Sequence, residues 1–65
     1  KEKPLSQLNE GDLIFFSFGG REVDHVGIYL NEHFFVHASP SRGVIVDNIN
    51  IPAYQKAIVK AGPVK

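Results

Sequence analysis

No cysteine occurs anywhere in these 65 residues. That excludes a disulfide framework and a thiolate metal site, and it says nothing of the redox compartment. Charge of one sign is lacking too, with seven Lys and Arg against seven Asp and Glu. A balanced chain argues against a surface built for nucleic acid or for an anionic membrane. No apolar run approaches the roughly 18 residues of a spanning helix. A signal-peptide core, long helical periodicity, internal repeats and low-complexity tracts are likewise absent.

What is present suits one small domain over residues 1–65. The apolar fraction of 43% is ordinary for a globular fold. A core of this size contributes only about 3–5 kcal/mol, and small natural domains usually add disulfides, metal or a partner. The chain opens on Lys1, which is compatible with a processed product or an excised domain.

Lys1 to Asn9 reads as an opening segment in which Leu5 and Leu8 suit one helical turn under a sheet. Asn9-Glu10-Gly11-Asp12 is a turn signal. Leu13 to Phe18 is apolar and aromatic apart from Ser17, the pattern of a strand buried on both faces. Gly19 to Glu22 is a loop. Val26–Leu30, Phe34–Ala38 and Val44–Asp47 read as strands, separated by turns around Asn31-Glu32-His33 and Ser39-Pro40-Ser41-Arg42-Gly43. Pro52 suits the start of a short helical turn through Gln55. Ala57 to Lys60 closes the set, ended by Gly62-Pro63. Short turns between strands predict a mainly β fold, a small antiparallel meander or barrel.

His25 and His37 stand twelve residues apart in two of these strands. Alternation puts His25, Gly27 and Tyr29 on one face and Phe35 with His37 on one face. A two-residue hairpin loop would pair Val26 with His37 and send the histidines to opposite faces. A three-residue loop, Asn31 to His33, pairs Gly27 with His37 and makes His25 its diagonal neighbour, roughly 7–8 Å away along the backbone. Gly27 then leaves room for an imidazole, and Asn31 tolerates the positive φ such turns use. Two readings stand. One is a general base, His25, with His37 bonded to its second ring nitrogen and fixing its tautomer. The other is a pair of half-buried sheet residues with polar partners. A metal held by His25, His33 and His37 is disfavoured, since only Asp24 is near enough to complete a shell and it points away from His25.

Four blocks in order, Gly11-Asp12-Leu13-Ile14-Phe15-Phe16, His25-Val26-Gly27-Ile28-Tyr29-Leu30, Val36-His37-Ala38-Ser39 and Gly43-Val44-Ile45-Val46-Asp47, resemble the NlpC-type peptidoglycan endopeptidases. These are papain-like cysteine peptidases of bacterial cell walls, and the likeness runs from Leu8 to about Val64. It implies that the chain is the β half of a papain-like α+β domain, with His25 as catalytic base and His37 as the third, orienting residue. The family's nucleophile is a cysteine in an Asp-Cys-Ser-Gly motif upstream of the Gly-Asp-Leu strand, and nothing here matches it. Glu10 stands where the family often has proline. The implied reaction is hydrolysis of an amide in a peptidoglycan stem peptide, with no cofactor and no metal, in the cell envelope or outside the bacterial cell. A segment bearing the cysteine is then an expected partner, and the chain alone is expected to be inactive, since Ser39 and Ser41 lack a matching base. The lecithin–retinol acyltransferase-like proteins, a permuted thiol acyltransferase arrangement, share a similar Gly-Asp-Leu-Ile strand. The Ser39-to-Val44 turn and the Tyr54-to-Val64 close look more like the wall hydrolases.

Arg21 and Arg42 flank the histidine strands and are candidates for clamping stem-peptide carboxylates. Asp24 is a candidate either for capping a strand or for touching substrate. Tyr29 reads as packing. Phe15, Phe16, Phe18, Phe34 and Phe35 read as core, or as a surface that a helical half would cover, and self-association is expected where that cover is absent. The competing function class is a non-catalytic β module that binds peptide or protein.

Overall fold

The computed structural model describes residues 4–63. The first three residues of the opening segment and Val64, at the end of the family likeness, lie outside the described residues. A 3₁₀ turn at Leu5–Gln7 leads into β1 (Leu13–Phe16), β2 (His25–Tyr29), β3 (Phe34–Ser39), β4 (Gly43–Asn48), α1 (Pro52–Ala57) and β5 (Ile58–Gly62). Pro52 opens α1, where its fixed φ suits a first helical turn and its missing N–H costs nothing.

All five strands lie in one antiparallel sheet of order β4-β3-β2-β1-β5. The mainly β, antiparallel class read from the sequence is the observed one. The pairings make the edge strands β4 and β5 run in the same direction. Parallel strands need a crossover connection, and residues 49–57 supply it by passing over one face of the sheet. That face carries the core: Ile14, Phe16 and Phe35 are wholly buried, joined by Tyr29, Ile49, Ala57 and Ala61. Leu5, Leu8 and Tyr54 close over them. The opposite face leaves Val26, Ile28, Val44 and Val46 exposed.

Two local expectations need correction. The first strand does not run to Phe18 buried on both faces. It ends at Phe16, with Leu13 and Phe15 only half-buried and Phe18 51% exposed. A bulge against β5 falls between Phe15 and Phe16. The next N–H groups then leave the ladder: Ser17 donates to the Ala57 carbonyl at 2.7 Å, while Phe18 and Gly19 donate to the Asp24 carboxylate at 3.0 Å each. The β2–β3 turn also differs. Phe34 N–H donates to the Asn31 carbonyl at 2.8 Å, so Glu32 and His33 are the central residues, and they, not Asn31, take positive φ (49° and 77°).

Gly27 pairs with His37, as a three-residue loop requires. The room beside its α-carbon is filled by Phe35, whose ring stacks on His37 at 4.6 Å between centroids. A Cβ at position 27 would lie 2.6 Å from Phe35 Cδ2. Gly27→Ala therefore overpacks the core and should destabilise the fold by about 1–3 kcal/mol. Val44→Thr, at a side chain 76% exposed, should stay within about 0.5 kcal/mol of the parent. Urea unfolding of the two variants beside the parent measures both.

Candidate active site

The ladder places three polar side chains on the core face in a diagonal line. Gly27 faces His37, so His25 sits one step diagonally from His37. Phe35 faces Asp47, so Asp47 is one diagonal step further, across β3 and β4. Such diagonals lie within side-chain reach. His25 Nε2 lies 2.8 Å from His37 Nδ1, and His37 Nε2 lies 2.8 Å from Asp47 Oδ2. The same carboxylate oxygen accepts from the Tyr54 hydroxyl at 2.7 Å and from Arg42 Nη2 at 3.4 Å. The crossover brings Tyr54 there, with its ring against Phe16, Phe35 and His37.

Burial dominates the electrostatics of His25. Its ring packs on Phe16 and Phe18. That desolvation, and after it the neighbouring His37, holds the imidazole below the ordinary histidine value, against the opposing pull of Asp24. The Tyr54 hydroxyl first, then His37, hold the Asp47 carboxyl below the usual carboxylate range. Burial first, and its bond to Asp47 next, push Tyr54 up. His25 keeps one ring nitrogen, Nδ1, outside its bond to His37.

His25, His37, Asp24, Arg42, Asp47 and Tyr54 line one open cavity of about 790 Å³, with Phe18 on its rim. Of the candidates from sequence, His25 and His37 are thus brought into direct contact, and Arg42 and Asp24 stand beside them. The Phe18 and Gly19 amides occupy both Asp24 oxygens and lower its pKa, which makes it the clasp of the 17–24 loop. Arg21 does not line this cavity. It borders a different depression with Ser17, Lys56 and Val59. His33 stands at the hairpin turn, in a third cavity away from the histidine pair.

Asp47 and Tyr54 were not singled out as site residues from the sequence. For Asp47 a signal existed. The Pro40-Ser41-Arg42 loop pairs Ser39 with Gly43, and counting along β4 from there makes Asp47 the diagonal neighbour of His37. Tyr54 had no such signal, because its place depends on where the crossover passes.

The family model for NlpC/P60 matches residues 1–62. The murein DD-endopeptidase MepS/murein LD-carboxypeptidase of Escherichia coli K12 is 49% identical over 58 residues, covering 86% of this chain and 29% of that protein. The peptidoglycan DL-endopeptidase CwlO of Bacillus licheniformis is 42% identical over 52 residues, covering 80% of this chain and 11% of that protein. A solved NlpC/P60 family protein from Bacillus cereus superposes with a TM-score of 0.82 at 30% identity, covering 94% of this chain and 21% of that one. The chain spans less than a third of the length of each of these relatives.

The two causes acting on His25 can be separated by titration. Its NMR midpoint should lie below the ordinary histidine value of about 6.5. His37→Gln removes the smaller, electrostatic contribution and should raise the midpoint only part of the way, because the Phe16 and Phe18 rings remain. The sign for stability follows. A base whose folded pKa is depressed favours folding fully above the unfolded value, and that contribution is lost as pH falls through the folded pKa. Asp47 has the same sign at lower pH. The urea midpoint should therefore fall as pH is lowered from 7, first through the His25 range and again below about 4.

Proposed function

The chain belongs to the NlpC/P60 family, and from that premise we propose that it supplies the base half of a thiol hydrolase that cleaves amide bonds in peptidoglycan stem peptides. The observation that carries this reading is the 2.8 Å contact of His25 with His37, which leaves Nδ1 of His25 as the ring nitrogen outside that bond. The 65 residues contain no cysteine, so the thiol is brought by residues outside them.

A thiol seated beside Nδ1 gives its proton to His25, and the S–H bond is replaced by N–H. The depressed pKa keeps His25 neutral, and hence able to accept, at neutral pH. The thiolate attacks the amide carbon, the C–N bond breaks, and the imidazolium returns its proton to the departing amine. Water then gives a proton to His25 and attacks the thioester. The C–S bond breaks, the acid leaves, and the sulfur recovers the proton. His37 holds the imidazole in place throughout. Arg42 and Asp24, on the cavity wall, are the residues proposed to meet substrate. Arg21 has no support from its position.

Two relatives are named for murein or peptidoglycan, which supports peptidoglycan as substrate and the bacterial envelope or exterior as location. The exposed valines and isoleucine of the outer face support a covering partner, or self-association of the chain alone.

Purified chain mixed with muropeptides should release no stem-peptide fragments. Joined to the part of the Escherichia coli relative outside the matched 58 residues, it should cleave them. His25→Ala in that chimera should lose about 10²–10⁴ of the rate, the usual contribution of a general base. A folded chimera that binds muropeptides without cutting them would instead make the chain a peptide-binding module.

A further inference from the structure

We propose that Asp47 is a positioning residue that sets the direction of each proton along the His25–His37–Asp47 line, so that His25 presents a bare ring nitrogen to the cavity. An ionised carboxylate only accepts hydrogen bonds. Two donors hold Asp47 in that role, the Tyr54 hydroxyl from α1 at 2.7 Å and Arg42 Nη2 from the β3–β4 turn at 3.4 Å. His37 Nε2, 2.8 Å from the same oxygen, must then carry the proton of its ring. When His37 is neutral its ring has one N–H, so His37 Nδ1 is then a lone pair. His25 Nε2, 2.8 Å from that lone pair, must donate to it. The single proton of neutral His25 is thereby placed on Nε2, and Nδ1 is left unprotonated.

The opposite direction is chemically complete but for Asp47. His37 would carry its proton on Nδ1 and donate to His25 Nε2, and His25 would carry its own on Nδ1. It would then offer the cavity a donor where an acceptor is needed. In the native arrangement that state sets the His37 Nε2 lone pair against a carboxylate oxygen at 2.8 Å, two acceptors with no proton between them. With residue 47 unable to accept, this repulsion is gone. Phe35, stacked on the His37 ring, and Tyr54, edge-on to it, keep the ring plane but cannot choose between its nitrogens. The importance of Asp47 to catalysis rests on His25 being the base. Its effect on the tautomers does not.

The test is a long-range nitrogen–proton NMR correlation on the ¹⁵N-labelled 65-residue chain, at a pH high enough that both imidazoles are neutral. In the parent chain His25 Nδ1 should resonate as an unprotonated nitrogen, and Nε2 of both histidines as protonated. In Asp47→Ala the His25 Nδ1 signal should shift toward the protonated position as the reversed direction becomes populated. A proton on His25 Nδ1 in the parent, or unchanged tautomers in a folded Asp47→Ala chain, overturns the proposal. Should amide dispersion show that the variant does not fold, the parent spectrum decides alone. The expected tautomer shift together with an inactive chimera would sink the hydrolase reading and leave the role of Asp47 standing.

Discussion

Gly27 stands opposite His37 because Asn31, Glu32 and His33 turn the chain between β2 and β3. A slip of one residue would send His37 to the outer face, since side chains alternate with period two. Phe35 would go with it, and the core would lose one of its wholly buried rings. The turn that sets this register holds two non-glycine residues at positive φ, a conformation costing about 1–2 kcal/mol per residue. Hydrogen bonds on either side of His33 help offset that cost. Its N–H donates to the Tyr29 hydroxyl at 3.1 Å, and its carbonyl accepts from Ile49 N–H at 2.7 Å. The second bond ties the hairpin to the crossover that carries Tyr54.

The polar line runs through an aromatic setting. Phe16, Phe18, Phe35 and Tyr54 all stack on or edge against its imidazoles. Polar atoms in such a place cost free energy unless each finds a partner. Among the described residues, no buried side-chain nitrogen or oxygen lacks one. His37, the buried member of the line, has both ring nitrogens bonded, which holds its ring in one arrangement. The aromatic burial that makes those partners necessary also depresses the pKa of His25. On the proposed reading, packing and basicity have one cause.

Membership of the NlpC/P60 family and the absence of cysteine meet in this geometry. The sheet holds two imidazoles and a carboxylate in line on three adjacent strands, where their spacing is governed by ladder register. The cavity beside them is open and partly apolar, with Phe18 exposed on its rim because β1 stops at Phe16. That early stop is therefore part of the site. Had β1 continued, Phe18 would belong to the sheet face and the Asp24 clasp would not form.

Much of the fold was legible in short-range pattern. Alternation in Val26–Leu30 and Phe34–Ala38, turn residues at Asn31 and Pro40, and Pro52 before a short helix placed four strands and α1 within a residue or two. The two loop lengths the sequence allowed send the histidines to the same or to opposite faces, and the pairing of Gly27 with His37 is the three-residue case that puts both on one face. These features are set by neighbours a few residues apart, which a sequence displays directly. The end of β1, the lining of the cavity by Arg42 and not Arg21, and the partners of Asp47 were decided by contacts between distant segments. Phe18 looked like core because its run is apolar, yet the N–H groups around it are drawn to Asp24. Tyr54 reaches Asp47 because parallel edge strands force a crossover over the core face. The linear sequence determined the local elements, the two possible registers of the histidines and the lack of a thiol. The tertiary structure alone decided where the crossover lies, and so which side chains complete the line begun by His25, because that depends on strand pairing across the whole sheet.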